Sequence, residues 1–270
     1  MAFFEQFPKI KYDFNQDGVV QNMVDIYRSV RPLPAFLDNY SAYKLYEIKN
    51  GERPDIVSQR LYGNPDFYWT FFVVNEFLHD GYRAWPMPEE TLFDYIKTEY
   101  EGYVVTTSPD IVRTGDGLII NANNPSGEGF RNSLSARFEI GETITGSTSS
   151  ATGKLVKKNA DLQQLIIQNV TGAFIAPEEI RGQTSNDFVS SFQVFKYAEA
   201  PYYYYKTGDA EKRPVTIDTH IQGGVDASLC SFVSYRSHLI ELNDTRSQIR
   251  YVAPEFIGAF VDEFEQLLNV

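Results

Sequence analysis

The sequence has little of what disulfide-bonded, metal-binding or nucleic-acid-binding proteins need. Its 270 residues include one cysteine, three histidines and two tryptophans. With a single cysteine no disulfide can form within the chain, so the fold does not depend on oxidation. The 24 lysines and arginines face 36 aspartates and glutamates, and the formal net charge of -12 predicts repulsion from phosphate backbones and anionic lipids. We therefore expect neither nucleic acid nor a membrane as a partner.

Long apolar runs and a secretion signal are also missing from the sequence. No hydrophobic stretch approaches the length that spans a bilayer. The first residues, MAFFEQFPKIKYDF, lack the basic segment and the small-residue cleavage site of a signal peptide. These features predict a soluble protein made in the cytosol. A hydrophobic share of 43% is ordinary for a globular protein, and the length accommodates one large domain or a few small ones.

Residues that could carry catalysis or bind a metal are sparse. His79, His220 and His238 lie far apart, and none has the HxxxH or HExxH spacing of a metal site. The acidic pairs Glu89-Glu90 and Glu178-Glu179 fall at predicted helix starts or turns, where the helix dipole and solvent explain them. We predict no catalytic residue, no metal site, no cofactor and no enzymatic activity.

Two short segments have both a structural and a chemical interpretation. Cys230 lies in the strand-like run SLCSFVSY and is interpreted as a small core residue. A nucleophilic role would need a partner base that the sequence does not place nearby. The loop 146–150, GSTSS, is interpreted as a solvated turn. A phosphate cradle is the alternative, but no lysine follows at P-loop spacing and no helix is predicted to begin there.

The most informative stretch is 46–75, in which a strand, a turn and two helices can be recognised. Pro54 fits the first position of a short helix, and Gly63 follows as a residue that tolerates positive φ at a helix C-terminus. Asn64 can accept from the free amides of a second helix, predicted over 64–75, which is apolar on almost every face. A unit this small cannot cover such a helix with its own atoms. The excess of aromatic surface predicts contact with other proteins.

The sequence pattern changes from Tyr103 onward, where short β-prone runs alternate with clusters of glycine, asparagine and serine. An internal echo aligns FEIGETITGSTS at 138–149 with FIAPEEIRGQTS at 174–185, a shift of 36 positions. Two echoes are too few for a solenoid, so we predict one β-barrel or roll in which equivalent hairpins pair. Near the end, Pro254 begins a helix with a wide apolar stripe.

These elements predict an α+β protein with a small two-helix unit, an inserted all-β barrel or roll and a C-terminal helix. We predict four parts. They are an N-terminal arm over 1–40, the two-helix unit with its following helix over 41–102, the β-rich module over 103–200, and a strand and helix segment over 201–270.

The two-helix unit resembles LysM domains, which are α+β modules that bind N-acetylglucosamine polymers. It departs from the usual LysM pattern at two places. Gly51-Glu52-Arg53-Pro54 stands where Gly-Asp-Thr-Leu is typical, and HDGYRAWPMPEE at 79–90 replaces the usual closing strand.

Several motifs together resemble baseplate wedge protein 53 of contractile-tailed bacteriophages. They are Glu52-Arg53-Pro54, LYGNP at 61–65, Tyr68-Trp69, MVDIYR at 23–28 and the final stretch NDTRSQIRYVAPEFIGAFVDEFEQLL. The resemblance implies a structural subunit of the virion tail baseplate, assembled in the host cytoplasm, that joins neighbouring wedges through protein contacts. The implied partners are other wedge subunits, including clamp-forming wedge proteins and the sheath initiator. The β-rich module is not part of this pattern.

We predict that the aromatic helix and the terminal helix carry most of the contact energy, although each aromatic side chain could instead belong to the core. The candidate interface residues are Arg53, Tyr62, Phe67, Tyr68, Trp69, Phe72, Trp85, Phe256, Phe260 and Phe264. On this interpretation Trp69→Ala leaves a soluble monomer that fails to enter tails. The alternative function is a peptidoglycan-binding LysM module of a lysis or entry apparatus, and a hydrolase is a third, less supported hypothesis.

Overall fold

The structure, a computed structural model, describes residues 7–25, 42–107, 111–113, 119–121, 138–217 and 225–268. Residues 26–28 of the MVDIYR motif and His220 lie outside this part of the chain. The described residues divide into two compact units. Unit 1 lies within Met1–Thr91 and Glu241–Val270, and unit 2 lies within Leu92–Ile240. Unit 1 is therefore built from two separate stretches of sequence, with unit 2 encoded between them.

The predicted α+β class is confirmed, because the chain combines helices, a closed β-barrel and a helix near its C-terminus. The helices are α1 (Pro54–Tyr62), α2 (Trp69–Val74), α3 (Glu89–Glu99), α4 (Tyr235–Ser247) and α5 (Ile257–Leu268). The strands are β1 (Lys9–Tyr12), β2 (Gln21–Val24), β3 (Tyr43–Glu47), β4 (Tyr103–Thr107), β5 (Ile111–Arg113), β6 (Ile119–Asn121), β7 (Thr143–Gly146), β8 (Thr152–Asn159), β9 (Gln164–Thr171), β10 (Glu179–Gly182), β11 (Phe188–Lys196), β12 (Pro201–Lys206), β13 (Pro214–Val215), β14 (Cys230–Ser234) and β15 (Gln248–Val252).

Unit 1 centres on a two-stranded sheet whose strands are far apart in sequence. β3 pairs antiparallel with β15, with Tyr46 opposite Ile249, and α2 packs against β15. The segment 79–90 forms a short 3₁₀ turn and the start of α3, so the strand beside β3 comes from 248–252 instead. The order strand, helix, helix, strand is thus completed by residues that follow unit 2 in the chain.

Local signals place the two helices of unit 1 largely as predicted. Pro54 begins α1, and Gly63 ends it with a φ of 72°. The Asn64 side chain accepts a hydrogen bond from the Asp66 backbone N–H at 2.9 Å. The predicted single helix over 64–75 is wrong in one respect, because a 3₁₀ turn at Pro65–Tyr68 precedes the six-residue α2.

Unit 2 contains a closed six-stranded barrel in the order β10-β11-β4-β9-β8-β7. The two echo segments contribute β7 and β10, which pair antiparallel. Ile144 lies opposite Gly182, and Gly146 lies opposite Ile180. These four residues are equivalent under the shift of 36 positions, so the pairing is self-complementary, like a two-fold contact between identical parts. The predicted barrel with paired equivalent hairpins is confirmed.

The barrel departs from internal symmetry in its third strand. Under the same shift β8 corresponds to β11, but the position equivalent to β9 is taken by β4, which precedes both echo segments. β12 corresponds to β9 under this shift, but it belongs to a three-stranded sheet in the order β13-β12-β14. A separate hairpin joins β5 to β6.

Gly102, just before β4, gives a test of how closely this strand approaches β9. Its φ is +106°, and a Cβ added there would lie 2.2 Å from the Ile167 carbonyl oxygen. We expect Gly102→Ala to lower the free energy of unfolding by more than about 3 kcal/mol, because a backbone atom must move to relieve the clash. Urea unfolding followed by far-UV circular dichroism measures the change.

Gly208→Ala is the matched control for this substitution. Gly208 also has a positive φ, +91°, but no atom within 4 Å of the added Cβ. Gly208→Ala should lower the free energy of unfolding by only about 1 kcal/mol, which is the penalty of the backbone conformation alone. Equal losses in the two variants would contradict the proposed role of the close approach at Gly102.

Candidate functional site

A hydrogen-bond network at the start of α1 fixes the part of unit 1 that carries most of the candidate residues. The Glu52 carboxylate accepts from the Tyr46 hydroxyl at 2.8 Å, from the Lys49 backbone N–H at 2.9 Å and from the Arg60 guanidinium. Burial raises the pKa of the Glu52 carboxyl, but these donors outweigh the effect of burial and hold that pKa below its usual value. The Glu52 carbonyl accepts from the Trp85 indole at 2.7 Å. The Glu52-Arg53-Pro54 motif therefore holds β3, α1 and the Trp85 loop together.

Four of the ten candidate residues lie in the internal core of unit 1. Trp69 is 4% exposed, and its ring centre lies 4.5 Å from that of Phe264 and 6.2 Å from that of Phe260. Trp85 is buried against Phe71. The terminal helix α5 thus docks through its apolar stripe on the aromatic helix of the same chain. These four side chains are buried by other residues of unit 1.

Two more candidates, Tyr68 and Phe72, are half-buried and border an exposed aromatic ring that the candidate set omitted. Tyr82 is 61% exposed, with its ring centre 5.9 Å from Tyr68 and 5.6 Å from Phe72. We call Tyr68, Phe72 and Tyr82 the aromatic patch. Phe72 also contacts the buried Trp85 at 5.8 Å, so the patch is supported from below by the core.

Charged residues lie at the rim of the aromatic patch. Arg53 is exposed and forms an ion pair with Asp55 at 3.0 Å. Partial burial raises the pKa of Tyr82, and the nearby Tyr68 and Asp55 raise it further, whereas Arg53 lowers it. Arg53 and Asp55 are therefore close enough to interact electrostatically with Tyr82. A partner on this surface would meet aromatic rings and a nearby charge pair.

The remaining candidates lie elsewhere on unit 1. Tyr62 and Phe67 are half-buried and contact each other at 6.0 Å, and burial raises the pKa of Tyr62. Phe256 is 38% exposed at the 3₁₀ turn that precedes α5. Tyr62 and Phe67 bridge the interior and the surface, whereas Phe256 is a separate exposed side chain.

Sequence reasoning also missed a group of exposed apolar residues in the N-terminal hairpin. β1 pairs with β2, and Phe14 at the connecting loop is 71% exposed. Exposed apolar side chains elsewhere on the hairpin are Ile10, Tyr12, Val19, Val20 and Met23. Alternation of lysine with apolar residues in KIKY is the signal that could have identified this strand.

Two predictions about individual residues in unit 2 need correction. Glu178 is not solvated, because its side chain is 5% exposed and accepts hydrogen bonds from the Ser149 and Ile175 backbone N–H groups. Cys230 is half-buried at the start of β14 rather than a core residue, and burial raises the pKa of its thiol. Its thiolate fraction at neutral pH is therefore low, which disfavours nucleophilic chemistry.

The described residues offer neither a metal site nor a membrane-spanning helix. Within the described ranges, no cluster of three or more histidine, cysteine, aspartate or glutamate side chains could hold a metal ion. None of the helices described is both long enough and apolar enough to cross a bilayer.

Comparison with known proteins gives two findings that agree. A family model described as "Base plate wedge protein 53" matches residues 1–112, which include the N-terminal hairpin and the aromatic patch. The "Baseplate wedge protein gp53" of Enterobacteria phage T4 is 26% identical over 136 residues, covering 50% of this chain. The aligned region spans 62% of the length of the T4 protein. Both findings support a relationship between this chain and the base plate wedge protein 53 family.

Proposed function

We propose that this chain is a structural subunit of a phage tail baseplate wedge, which joins neighbouring wedges through protein–protein contacts. The observation that carries the proposal is the aromatic patch, in which the exposed ring of Tyr82 lies beside the half-buried rings of Tyr68 and Phe72, inside the 1–112 segment that the family model matches. Exposed aromatic clusters on soluble proteins commonly mark contact sites.

The construction of the patch is suited to binding another protein. Tyr68 and Phe72 pack against the buried cluster that contains Phe71 and Trp85, so little side-chain entropy is lost when a partner covers them. Tyr82 can contribute both an apolar ring and a hydroxyl to the contact. Arg53 and its partner Asp55 provide a polar rim that favours one orientation of the partner.

The proposal extends to location, partners and organisation. We propose that the chain acts without catalysis in the virion tail baseplate, after assembly in the host cytoplasm. Its partners would be other wedge subunits, including clamp-forming wedge proteins and the sheath initiator, and the adjacent wedges. We also propose that the β-rich module at 103–200 is an insertion between the two-helix unit at 41–102 and the segment at 201–270, with 1–40 as an arm.

A peptidoglycan-binding function is the competing proposal. Its support is the order strand, helix, helix, strand formed by β3, α1, α2 and β15, which a LysM-like unit would share. The two functions predict different behaviour of the purified chain. Retention on peptidoglycan that chitooligosaccharides compete away favours glycan binding, whereas assembly with wedge subunits and no such retention favours the structural role.

Substitution of the most exposed ring tests the structural proposal. We expect Tyr82→Ser to leave the fold intact, because the side chain is 61% exposed. The amount of the chain recovered in purified tails should fall about tenfold or more, since central aromatic residues dominate many interfaces. Immunoblotting of tails assembled with the variant measures this, and circular dichroism checks the fold.

Phe188→Ser in unit 2 is the matched control. Its ring is 52% exposed and lies outside the matched segment, so its removal should not change incorporation. If Tyr82→Ser enters tails as well as the unmodified chain does, the aromatic patch is not the contact and the proposal loses its main support.

A further inference from the structure

The turn at 49–52, between β3 and α1, contains the single Asn-Gly dipeptide of the sequence. The Glu52 N–H donates to the Lys49 carbonyl at 3.0 Å, which closes the turn. Gly51 has a φ of +78°, and a Cβ added there would have no atom within 4 Å. Asn50 and Gly51 are both exposed to solvent. The peptide nitrogen that joins them is therefore sterically open.

An asparagine that precedes a glycine can lose its side-chain amide by reaction with its own backbone. After a base removes the proton of the Gly51 nitrogen, this nitrogen attacks Cγ of Asn50. The new C–N bond closes a cyclic succinimide, and the side-chain nitrogen leaves as ammonia. Water then opens the ring at either carbonyl and leaves aspartate or isoaspartate at position 50. The net reaction consumes water and releases ammonia, so it needs neither an oxidant nor a cofactor.

The Asn50 side chain is restrained by a hydrogen bond to the start of α3. Its Oδ1 accepts from the Glu89 backbone N–H at 2.9 Å, and Glu89 is the first residue of that helix. The first N–H groups of an α-helix have no partner within the helix, because no preceding turn supplies a carbonyl. The bond therefore satisfies the helix terminus and holds the carboxamide of Asn50 in one orientation.

We infer that Asn50 is a deamidation site and that the hydrogen bond from the Glu89 N–H sets the rate of its reaction. Ring closure brings Cγ of Asn50 within about 1.5 Å of the Gly51 nitrogen, the length of a covalent C–N bond. Because the carboxamide moves with Cγ, its bond to the start of α3 breaks first. Only the fraction of molecules in which Asn50 is released can therefore react. The fold slows a reaction to which this dipeptide is otherwise prone.

The two products of the reaction differ in their effect on unit 1. Aspartate at position 50 keeps an acceptor for the Glu89 N–H and adds a negative charge at a helix N-terminus, where such a charge is stabilising. Isoaspartate inserts an additional carbon into the backbone of the turn. Glu52, in the same turn, accepts hydrogen bonds from the Tyr46 hydroxyl and the Lys49 N–H. A lengthened turn displaces Glu52 and loosens this network.

Two substitutions at one position test the role of the hydrogen bond. Glu89→Pro removes the donating N–H, and proline fits the first turn of a helix. Glu89→Ala removes the same side chain but keeps the N–H. The full-length variants are incubated at mildly alkaline pH and digested, and mass spectrometry measures the deamidated fraction of the Asn50 peptide. We expect the rate to rise about three- to tenfold in Glu89→Pro, the ratio that one ordinary hydrogen bond represents. In Glu89→Ala it should change little.

Asn186, an exposed asparagine that precedes Asp187, is the reference residue within the same digest. In urea, where the fold restrains neither residue, Asn50 should react several-fold faster than Asn186. A rate at Asn50 no greater than that at Asn186 overturns the assignment of the site. Equal rates at Asn50 in Glu89→Pro and Glu89→Ala overturn the role of the hydrogen bond.

Circular dichroism checks that Glu89→Pro is folded. If it is not, the unmodified chain decides the question, because its Asn50 should react several-fold more slowly without urea than in urea. Equal rates under the two conditions overturn the inference that the fold restrains Asn50. The inference is independent of the proposed function, since every measurement uses the purified chain alone.

Discussion

Trp69→Ala is expected to lower the free energy of unfolding of unit 1 by about 3–5 kcal/mol, the usual cost of truncating a fully buried large aromatic residue. Trp69 is 4% exposed, and its ring fits against Phe264 and Phe260 on α5. Its removal leaves a cavity between α2 and the terminal helix. Sequence alone suggested a stable monomer that fails only in assembly, and burial of the ring replaces that expectation with a loss of stability.

Thermal unfolding followed by circular dichroism measures this effect. For a unit of this size the loss corresponds to a fall in Tm on the order of 10 °C. Phe256→Ala is the matched control, because Phe256 adjoins the same helix but is 38% exposed, and it should change stability by less than about 1 kcal/mol. A Trp69→Ala protein as stable as the unmodified chain, yet absent from tails, would restore Trp69 as a contact residue.

Much of the local structure could be predicted from sequence because it depends on residues a few positions apart. Pro54, Gly63 and Asn64 mark helix ends through backbone geometry and side-chain hydrogen bonds, and the structure agrees at each of them. The barrel was also predictable in kind, since alternating β-prone runs and the echo indicate paired strands. These inferences need no knowledge of distant contacts.

The pairings that assemble the units could not be predicted in the same way. β3 pairs with β15 across about two hundred residues, and β4 takes the barrel position that the echo would give to a later strand. No pattern within one segment specifies such a partner. The same limit applies to the candidate interface residues. A stripe of aromatic residues has the same sequence pattern whether the surface that covers it belongs to the same chain or to a partner. Only the packing of β15 and α5 in the folded chain shows that Trp69 and Phe260 are buried by residues of the same chain.

The echo acquires a physical explanation from two buried carboxylates at equivalent positions. The Glu142 carboxylate accepts from the Thr184 and Ser185 backbone N–H groups, both at 3.0 Å. The Glu178 carboxylate accepts from the Ser149 N–H at 2.9 Å. Each glutamate therefore binds the serine turn of the other echo segment. Glu142 and Glu178 are both 5% exposed, so the exchanged bonds form in a largely water-free setting.

The glycines of the echo are explained by the same arrangement. A Cβ at Gly146 would lie 2.6 Å from either Glu178 carboxylate oxygen, and one at Gly182 would lie 2.5 Å from a Glu142 oxygen. Glycine at these positions leaves room for the carboxylate to reach the turn amides. The recurrence of glutamate, glycine and serine in register thus reflects one binding arrangement used twice around the self-complementary pairing of β7 and β10.

Glu142→Gln and Glu178→Gln are each expected to destabilise unit 2 by about 2–3 kcal/mol, and the double variant by about twice that, because hydrogen bonds to a charged acceptor are lost. A glutamine offers one acceptor oxygen, and its NH₂ group faces amides that are themselves donors. Urea unfolding of the full chain at neutral pH measures the loss. Glu139→Gln, at an exposed residue of the same segment, should change stability little.

The pH dependence of stability provides the sharper test of these carboxylates. Burial opposes their ionisation, but the turn amides and serine hydroxyls outweigh it and hold the pKa of Glu142 and of Glu178 below the usual value of 4.5. A carboxylate with a lowered folded-state pKa stabilises the fold above the unfolded-state value, and this contribution disappears as pH falls through the folded-state pKa. The unmodified chain should therefore lose stability below about pH 4.5, whereas the double variant loses less. The two stability curves should approach each other in acid, and parallel curves would show that the carboxylates are not bound as ions.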